Sequence, residues 1–224
     1  MEHRTCYFAA LFFFVAFILL MLTAISLPAM SGMDITRVNA GNGTSLTAAN
    51  ETVTQLRFGI WAYCYDLVNG TSQCGASAVS IKGYSVTVSN QTDTVDIVAP
   101  WTRGLTLHVV AAAATFVAFL FCIFKRISIF LLTFSVTACL SATASFVVDA
   151  ILYVYIRSQM TDLGFGGNTK PSYAFWMTLA SVLLLFIGGS PLWLGGCWRS
   201  LANQKVLLEL PRAKLLKDKM PWFY

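Results

Sequence analysis

Charged side chains and the groups that carry catalysis are scarce in this chain. Of its 224 residues only 11% are charged, and only two are histidines, His3 and His108. The sequence has no Cys-x-x-Cys pair, no glycine-rich phosphate loop and no His, Cys, Asp and Glu cluster with metal-ligand spacing. A nucleophile with an adjacent base is likewise missing. We therefore predict that the protein is not an enzyme, that it holds no metal or other cofactor, and that it does not bind nucleic acid.

Hydrophobic residues, in contrast, make up 57% of the chain and gather in four continuous runs. The runs cover residues 7–27, 105–124, 127–156 and 173–198. Each reaches the roughly 20 helical residues needed to cross a hydrocarbon layer of about 30 Å. Since the runs do not alternate as barrel strands do, each run predicts a transmembrane helix. A cleaved signal peptide is the alternative for the first run, although the run exceeds the usual apolar core of about 7–15 residues.

The basic residues mark one side of the membrane. They lie at one set of helix ends, which the positive-inside rule places in the cytoplasm: Arg4, Lys125, Arg126, Arg199, Lys205, Arg212, Lys214, Lys217 and Lys219. The predicted order is a cytoplasmic N-terminus and first helix (1–27), a large outside loop (28–104), a second helix with a short cytoplasmic turn (105–126), a third helix (127–156), a short outside loop (157–172), a fourth helix (173–198) and a basic cytoplasmic tail (199–224). We expect this tail to contact the anionic lipids of the inner leaflet, or alternatively to be solvated.

Four Asn-x-Thr sequons support this orientation, because N-glycans are added only on the lumenal side of the secretory pathway. All four lie in the large outside loop, at Asn42, Asn50, Asn69 and Asn90. One sequon is common by chance, but four within a single polar segment indicate an extracytoplasmic, glycosylated surface.

The large outside loop is the segment able to form a folded polar domain. Residues 52–65, 78–89 and 92–98 are rich in β-branched and aromatic side chains, which favour strands. We predict a small antiparallel sheet of three to five strands, with residues 39–50 as a mobile glycosylated loop. The third helix, at about 30 residues and therefore about 45 Å, is expected to project beyond the bilayer and support this sheet.

Two of the six cysteines, Cys64 and Cys74, lie in this oxidising outside loop with nine residues between them. They flank Asn69-Gly70, a favoured turn sequence. A disulfide between them would close a short loop, and we predict that it staples a two-stranded hairpin.

Three other cysteines, Cys6, Cys122 and Cys197, lie near the cytoplasmic helix ends. At such positions reversible palmitoylation is one interpretation. The other is that each is a small buried hydrophobic residue.

One acidic residue, Asp149, falls inside an apolar run. A carboxylate within a membrane segment needs a partner or a function. His108, one turn into the second helix, is predicted at a similar depth near the outer leaflet boundary. The two residues would form an outer-leaflet polar pair, or alternatively each would bond to water or backbone. No chain of further acids continues through the helices, which disfavours a pump or coupled transporter.

The segment Gly59-Ile60-Trp61, followed by Cys64 and Cys74, resembles the claudin-type signature of a Gly-Leu-Trp and two bonded cysteines. The layout of four helices with a large first outside loop and a small second one is similar too. Ile60 stands where claudins have leucine, and the loop has no tryptophan upstream of it. Polymerisation into tight junctions is therefore not implied.

A closer resemblance is to the fungal PalI-type group, which joins pH-response proteins with cortical-patch (eisosome) proteins of the plasma membrane. It rests on residues 58–64, Cys74, Gly83-Tyr84 and residues 102–108. The resemblance covers about residues 5–200. It implies a membrane α-helical fold, a claudin-like four-transmembrane-helix bundle with a small disulfide-stapled extracellular β-sheet.

The resemblance further implies a non-enzymatic plasma-membrane protein that organises a larger fungal cell-surface assembly or serves it as an auxiliary subunit. The implied partner is a larger integral membrane protein, by analogy alone. Two alternatives stay open: a membrane protein that assists a receptor of ambient pH, and a pore or transport protein. The helices carry few inward polar groups, which disfavours the pore.

Trp61 is predicted to pack where the sheet meets the outer helix ends. Tryptophan at a membrane–water boundary usually buries part of its ring and hydrogen-bonds its N–H. The competing hypothesis makes Trp61 a residue that stacks on a sugar of the cell wall.

Overall fold

The structure is a computed structural model that describes residues 2–27, 32–40, 46–48, 51–75, 85–90, 93–97, 104–124 and 128–193. It contains the four predicted helices: α1 (Glu2–Ala24), α2 (Leu107–Phe124), α3 (Ser128–Asp162) and α4 (Tyr173–Trp193). Each is long and apolar enough to cross a membrane. The prediction of four transmembrane helices is therefore confirmed.

The helices form a bundle in which each packs against two others. α1 contacts α2 and α4, and α3 contacts the same two helices. Small residues allow close approach, since Ala111 and Ala118 of α2 and Ala138 and Ala142 of α3 are fully buried. α1 is thus packed as one of the four helices of the bundle.

α3 is longer than predicted, with 35 residues, and ends at Asp162 where the sequence analysis ended it at residue 156. Its last turn carries polar side chains, so hydropathy marks the end of the apolar span, whereas the hydrogen-bonded helix continues. The helix stops where Gly164 adopts φ +85°. The amides of Gly164 and Phe165 then donate to the carbonyls of Thr161 and Met160, as in a Schellman C-cap.

Within the described residues, the polar domain is an antiparallel sheet of eight short strands, so the prediction of three to five strands was wrong. The strands are β1 (Thr36–Asn39), β2 (Thr47–Ala48), β3 (Glu51–Phe58), β4 (Tyr63–Leu67), β5 (Ser72–Cys74), β6 (Val86–Ser89), β7 (Thr94–Ile97) and β8 (Thr169–Pro171). The order is β5-β4-β3-β2-β6-β7, and β1 lies between β3 and β8. The additional strands are too short to give an alternating pattern, and β8 comes from the segment between α3 and α4.

Part of the predicted mobile loop is also ordered into the sheet. β2 lies within residues 39–50 and pairs with both β3 and β6. Ala48 of β2 and Leu46 just before the strand are fully buried. Two apolar side chains in a polar segment were therefore enough to anchor it.

One face of the sheet packs on the C-terminal end of α3. Leu56, Phe58 and Ile35 from the sheet share one hydrophobic core with Leu152 and Ile156 of α3. Along β1 and the last part of β3, buried residues alternate with partly exposed ones, as expected when one face of a sheet packs on a core. The expectation that α3 supports the sheet is thus confirmed.

Candidate functional site

The sheet is joined to α1 by the turn between β3 and β4. The amide of Gly59 donates to the carbonyl of Ala62 and closes this turn. The indole Nε1 of Trp61 donates to the carbonyl of Ala24 at 2.6 Å, and the amide of Ile60 donates to the hydroxyl of Ser26 at 2.9 Å. The last carbonyls of a helix have no partner within the helix. The turn therefore caps the C-terminal end of α1.

Gly59 is required by this close approach. A β-carbon at this position would lie 2.6 Å from the β-carbon of Leu27. Leu27 is itself fully buried and cannot move aside easily. Glycine at position 59 thus lets the turn rest directly on the chain that leaves α1.

Trp61 packs against the core between sheet and bundle as well as making its hydrogen bond. This is the position predicted from the sequence. The residue that it meets, Ala24, lies 37 positions away in the chain. The sugar-stacking hypothesis for Trp61 is disfavoured, because its N–H and part of its ring are already engaged.

A disulfide staples the neighbouring hairpin. Cys64 and Cys74 face each other on β4 and β5 and are bonded, as predicted. The hairpin turn carries Gly70 at φ +81°, a conformation that glycine adopts without steric cost. All three residues of β5 are exposed, so this strand has little buried surface of its own.

The structure describes the asparagines of two of the four sequons. Asn69 is exposed in the hairpin turn, and its side-chain oxygen accepts hydrogen bonds from the amide and hydroxyl of Thr71. Asn90 is partly buried, and its amide nitrogen donates to the carbonyl of Leu163 at 3.2 Å. Asn42 and Asn50 lie outside the described residues.

His108 and Asp149 meet inside the bundle. Nε2 of His108 lies 3.1 Å from Oδ2 of Asp149, and Nδ1 lies 2.9 Å from the carbonyl oxygen of Leu105. The hydroxyl of Thr178 is 3.4 Å from the same Nε2. His108, Asp149 and Thr178 are all fully buried and come from α2, α3 and α4. This arrangement favours the predicted pair over separate bonds to water.

The contacts define which groups of this pair donate and accept. The Leu105 carbonyl can only accept, so Nδ1 of His108 carries a hydrogen. A hydrogen bond between Nε2 of His108 and Oδ2 of Asp149 pairs two buried polar groups, which lowers the cost of burying them. The second carboxylate oxygen, Oδ1, has no hydrogen-bond partner among the described residues.

Thr178 was not predicted as part of this cluster. A hydroxyl in an apolar helix commonly bonds to the backbone one turn earlier, and Thr178 does donate to the carbonyl of Ala174 at 3.0 Å. Its contact with His108 depends on which face of α4 is turned toward α2, and the sequence of one helix does not reveal this.

The remaining cysteines differ in what the structure describes of them. Cys122 is buried, which favours a small packed side chain over palmitoylation. The side chain of Cys6, Cys197 and the basic tail at residues 199–224 lie outside the described residues. Within the described ranges, no three His, Cys, Asp or Glu side chains are grouped as a metal site requires.

Comparison with known proteins agrees with this architecture. No curated protein matches the chain. The model of the SUR7/PalI family matches residues 6–188, which include all four helices nearly in full, the Gly59 to Trp61 turn and the bonded cysteines. Because this match covers most of the chain, the protein is a multi-pass, claudin-like membrane protein that belongs to the SUR7/PalI family.

Proposed function

We propose that this protein is a non-enzymatic organiser, or an auxiliary subunit, of a larger membrane assembly at the fungal plasma membrane. The observation that carries the proposal is the fixed attachment of the sheet to the bundle. A platform held at one angle can present the same surface to a partner each time, which lowers the ordering cost of binding.

The attachment has three parts. The turn at Trp61 caps α1, and the inner face of the sheet packs on α3. At α4, only Ser172 separates β8 from the helix, and the amides of Ser172 and Ala174 donate to the carbonyls of Ile35 and Asp34 at 2.9 and 3.2 Å. The sheet is therefore tied to three of the four helices.

The buried polar groups of the helices support this role over transport. The described hydroxyls of Thr115, Ser145 and Ser181 donate to carbonyls within their own helices. His108 and Asp149 are fully enclosed with Thr178. A water-filled path needs polar groups that face a cavity. These groups face backbone or one another, apart from Oδ1 of Asp149 and the hydroxyl of Ser135, which have no hydrogen-bond partner among the described residues.

The outer surface of the bundle offers a place for lipid or a partner. Leu140, Val154, Leu183 and Ile187 are exposed apolar residues on α3 and α4. A surface of this kind suits acyl chains or the helices of a larger integral membrane protein. The basic tail would add contacts with anionic lipids of the inner leaflet.

This proposal places both termini in the cytoplasm and the sheet outside. The exposed sequon at Asn69 and the basic residues at the opposite helix ends support it. A tag after Tyr224 should react with antibody only in permeabilised cells. Labelling of intact protoplasts would contradict this orientation.

Native co-purification after detergent extraction tests the role itself. We expect a larger integral membrane protein to be recovered in fixed stoichiometry with the wild-type chain. Trp61→Ala, compared at equal surface amount, should lower this recovery, because the sheet is no longer held at one angle. A matched control is Val68→Ala, which shortens an exposed apolar side chain in the turn between β4 and β5, away from the attachment to the helices. Recovery of a monomer without partner, together with an even distribution in the membrane, would contradict the proposal.

One observation favours the alternative role in the response to ambient pH, namely the contact between His108 and Asp149, whose side chains can both bind protons. The complete burial of both groups slows exchange with the medium, so we rank this role second. A His108→Gln strain tests it: loss of alkaline growth with normal surface amount and normal partner recovery would favour the pH role. Unchanged alkaline growth would exclude the pair as the sensor.

A further inference from the structure

Three basic residues form a row across the outer face of the sheet. In the antiparallel register, Lys170 of β8 is opposite Arg37 of β1, and Arg37 is opposite Arg57 of β3. Residues directly opposite each other point to the same face, and like charges there destabilise a sheet. Anions beside such a row would offset the repulsion between the like charges.

Acidic side chains of the chain offset two of the three charges. Asp34 accepts from Nε and Nη2 of Arg37 at 2.9 and 2.7 Å, and this hydrogen bonding raises the pKa of Arg37, so that it stays charged. Asp66 pairs with Arg57. Lys170 is exposed, and no described residue pairs with it. The row therefore retains one uncompensated positive charge at the β8 end.

A pocket of about 360 Å³ opens beside this charge. Arg37, Asn39 and Lys170 line it from the sheet, and Tyr173 and Trp176 line it from the first turn of α4. Tyr173 is 69% exposed and Trp176 is 56% exposed. They stand at the start of the span, where tyrosine and tryptophan typically mark the headgroup level.

We propose that this pocket binds the phosphate of an anionic phospholipid in the leaflet on the sheet's side. The Lys170 ammonium and the Nη1 of Arg37, which the bonds to Asp34 leave available, would donate to the phosphate oxygens. Tyr173 and Trp176 would flank the glycerol and upper acyl region. Soluble phosphate shares the first interaction but not the second, and therefore the aromatic wall favours a lipid. The site does not depend on the organising role proposed above.

Native mass spectrometry of the full chain in detergent tests the site with phosphatidylinositol as the probe and zwitterionic phosphatidylcholine as its reference. Lys170→Gln should lower the retention of phosphatidylinositol about fivefold, the effect of one near-surface charge. Lys170→Arg should keep it. The matched control is Arg157→Gln. It removes an exposed positive charge near the C-terminal end of α3, on the sheet's side of the bundle but outside the pocket. The basic tail is identical in all these proteins, so its contribution cancels.

Trp176→Leu should weaken the retention of phosphatidylinositol, because it removes the aromatic contact with the lipid. The effect of added inorganic phosphate should be the same in this variant as in the wild type. Equal retention in the wild type and Lys170→Gln, or an equal loss in Arg157→Gln, would overturn the proposal. Competition by inorganic phosphate at the concentration of the lipid would also overturn it, since the site would then bind a soluble anion. Unchanged thermal midpoints for the variants would show that lost retention does not reflect unfolding.

Discussion

The two ends of the segment from the Trp61 turn to β5 are held in different ways. At one end, the turn at Trp61 is seated on α1 by packing and two hydrogen bonds, without a covalent link. At the other, the residues of β5 are exposed, and the strand is held by its pairing with β4 and by the bond between Cys64 and Cys74. Burial supplies stability only where a second surface is present. A strand that projects into solvent needs a covalent constraint instead.

The largest effect is expected from Trp61→Ala, which breaks the packed end. Removing a tryptophan side chain from a core costs about 3–5 kcal/mol, and partial exposure places this change near 3. The carbonyl of Ala24 also loses its donor. Thermal unfolding in detergent and the fraction of protein at the cell surface measure the effect.

Trp61→Phe is the control for this change. It retains most of the ring and loses only the hydrogen bond, which costs about 1 kcal/mol. An alanine variant as stable as the wild type would show that the turn does not hold the sheet on α1.

The second largest effect is expected when the disulfide at the covalent end is removed. Replacing both Cys64 and Cys74 by serine should cost about 2–3 kcal/mol, as expected for a loop of this length. Hydrogen exchange should rise in β4 and β5 more than at the end of α1, because the packed end keeps its contacts. Cys139→Ser, which removes a buried free thiol, serves as the control. Equal protection of both ends in the double serine variant would contradict the division of roles.

Gly59→Ala sharpens the comparison with a single added methyl group. Its β-carbon would meet Leu27 at 2.6 Å, and overpacking of this kind costs about 1–3 kcal/mol. Gly167→Ala is the matched control, since a β-carbon there meets nothing within 4 Å. Differential scanning fluorimetry should show a lower midpoint for the first variant and no change for the second. A similar midpoint for both would mean that Leu27 yields without cost.

Removal of a single glycosylation site is expected to have the smallest effect on stability. The two described sites should nevertheless differ in how often they carry a glycan. Asn69 is exposed, whereas the amide nitrogen of Asn90, the atom that would carry the sugar, donates to Leu163. Glycopeptide mass spectrometry should therefore find higher occupancy at Asn69 than at Asn90. Asn69→Gln and Asn90→Gln assign the two signals. Higher occupancy at Asn90 would mean that its contact with Leu163 forms only after glycosylation or not at all.

The sequence predicted the features that depend on composition and on short spacing. Hydropathy located four spans, because a lipid environment demands long apolar helices. The disulfide followed from two cysteines in one oxidising loop, and Trp61 was expected at the interface because its ring and N–H prefer opposite environments. In each case a single segment carried the whole argument.

Features that depend on the meeting of distant segments were missed. β8 has three residues and forms a strand only because β1 lies beside it. Thr178 joins His108 through the rotation of one helix against another. The end of α3 at Gly164 was missed for a different reason, since hydropathy reports where lipid ends and not where helical hydrogen bonding does.

The direct passage from β8 into α4 has a mechanical consequence. The hydrogen bonds from Ser172 and Ala174 to Ile35 and Asp34 hold the edge of the sheet close to the start of α4, so that the two cannot move independently. A thinner or thicker bilayer changes the tilt that a transmembrane helix adopts. We expect α4 and the edge strand β8 to tilt together, so that a change in bilayer thickness reorients the sheet along with the bundle and leaves the angle between them unchanged.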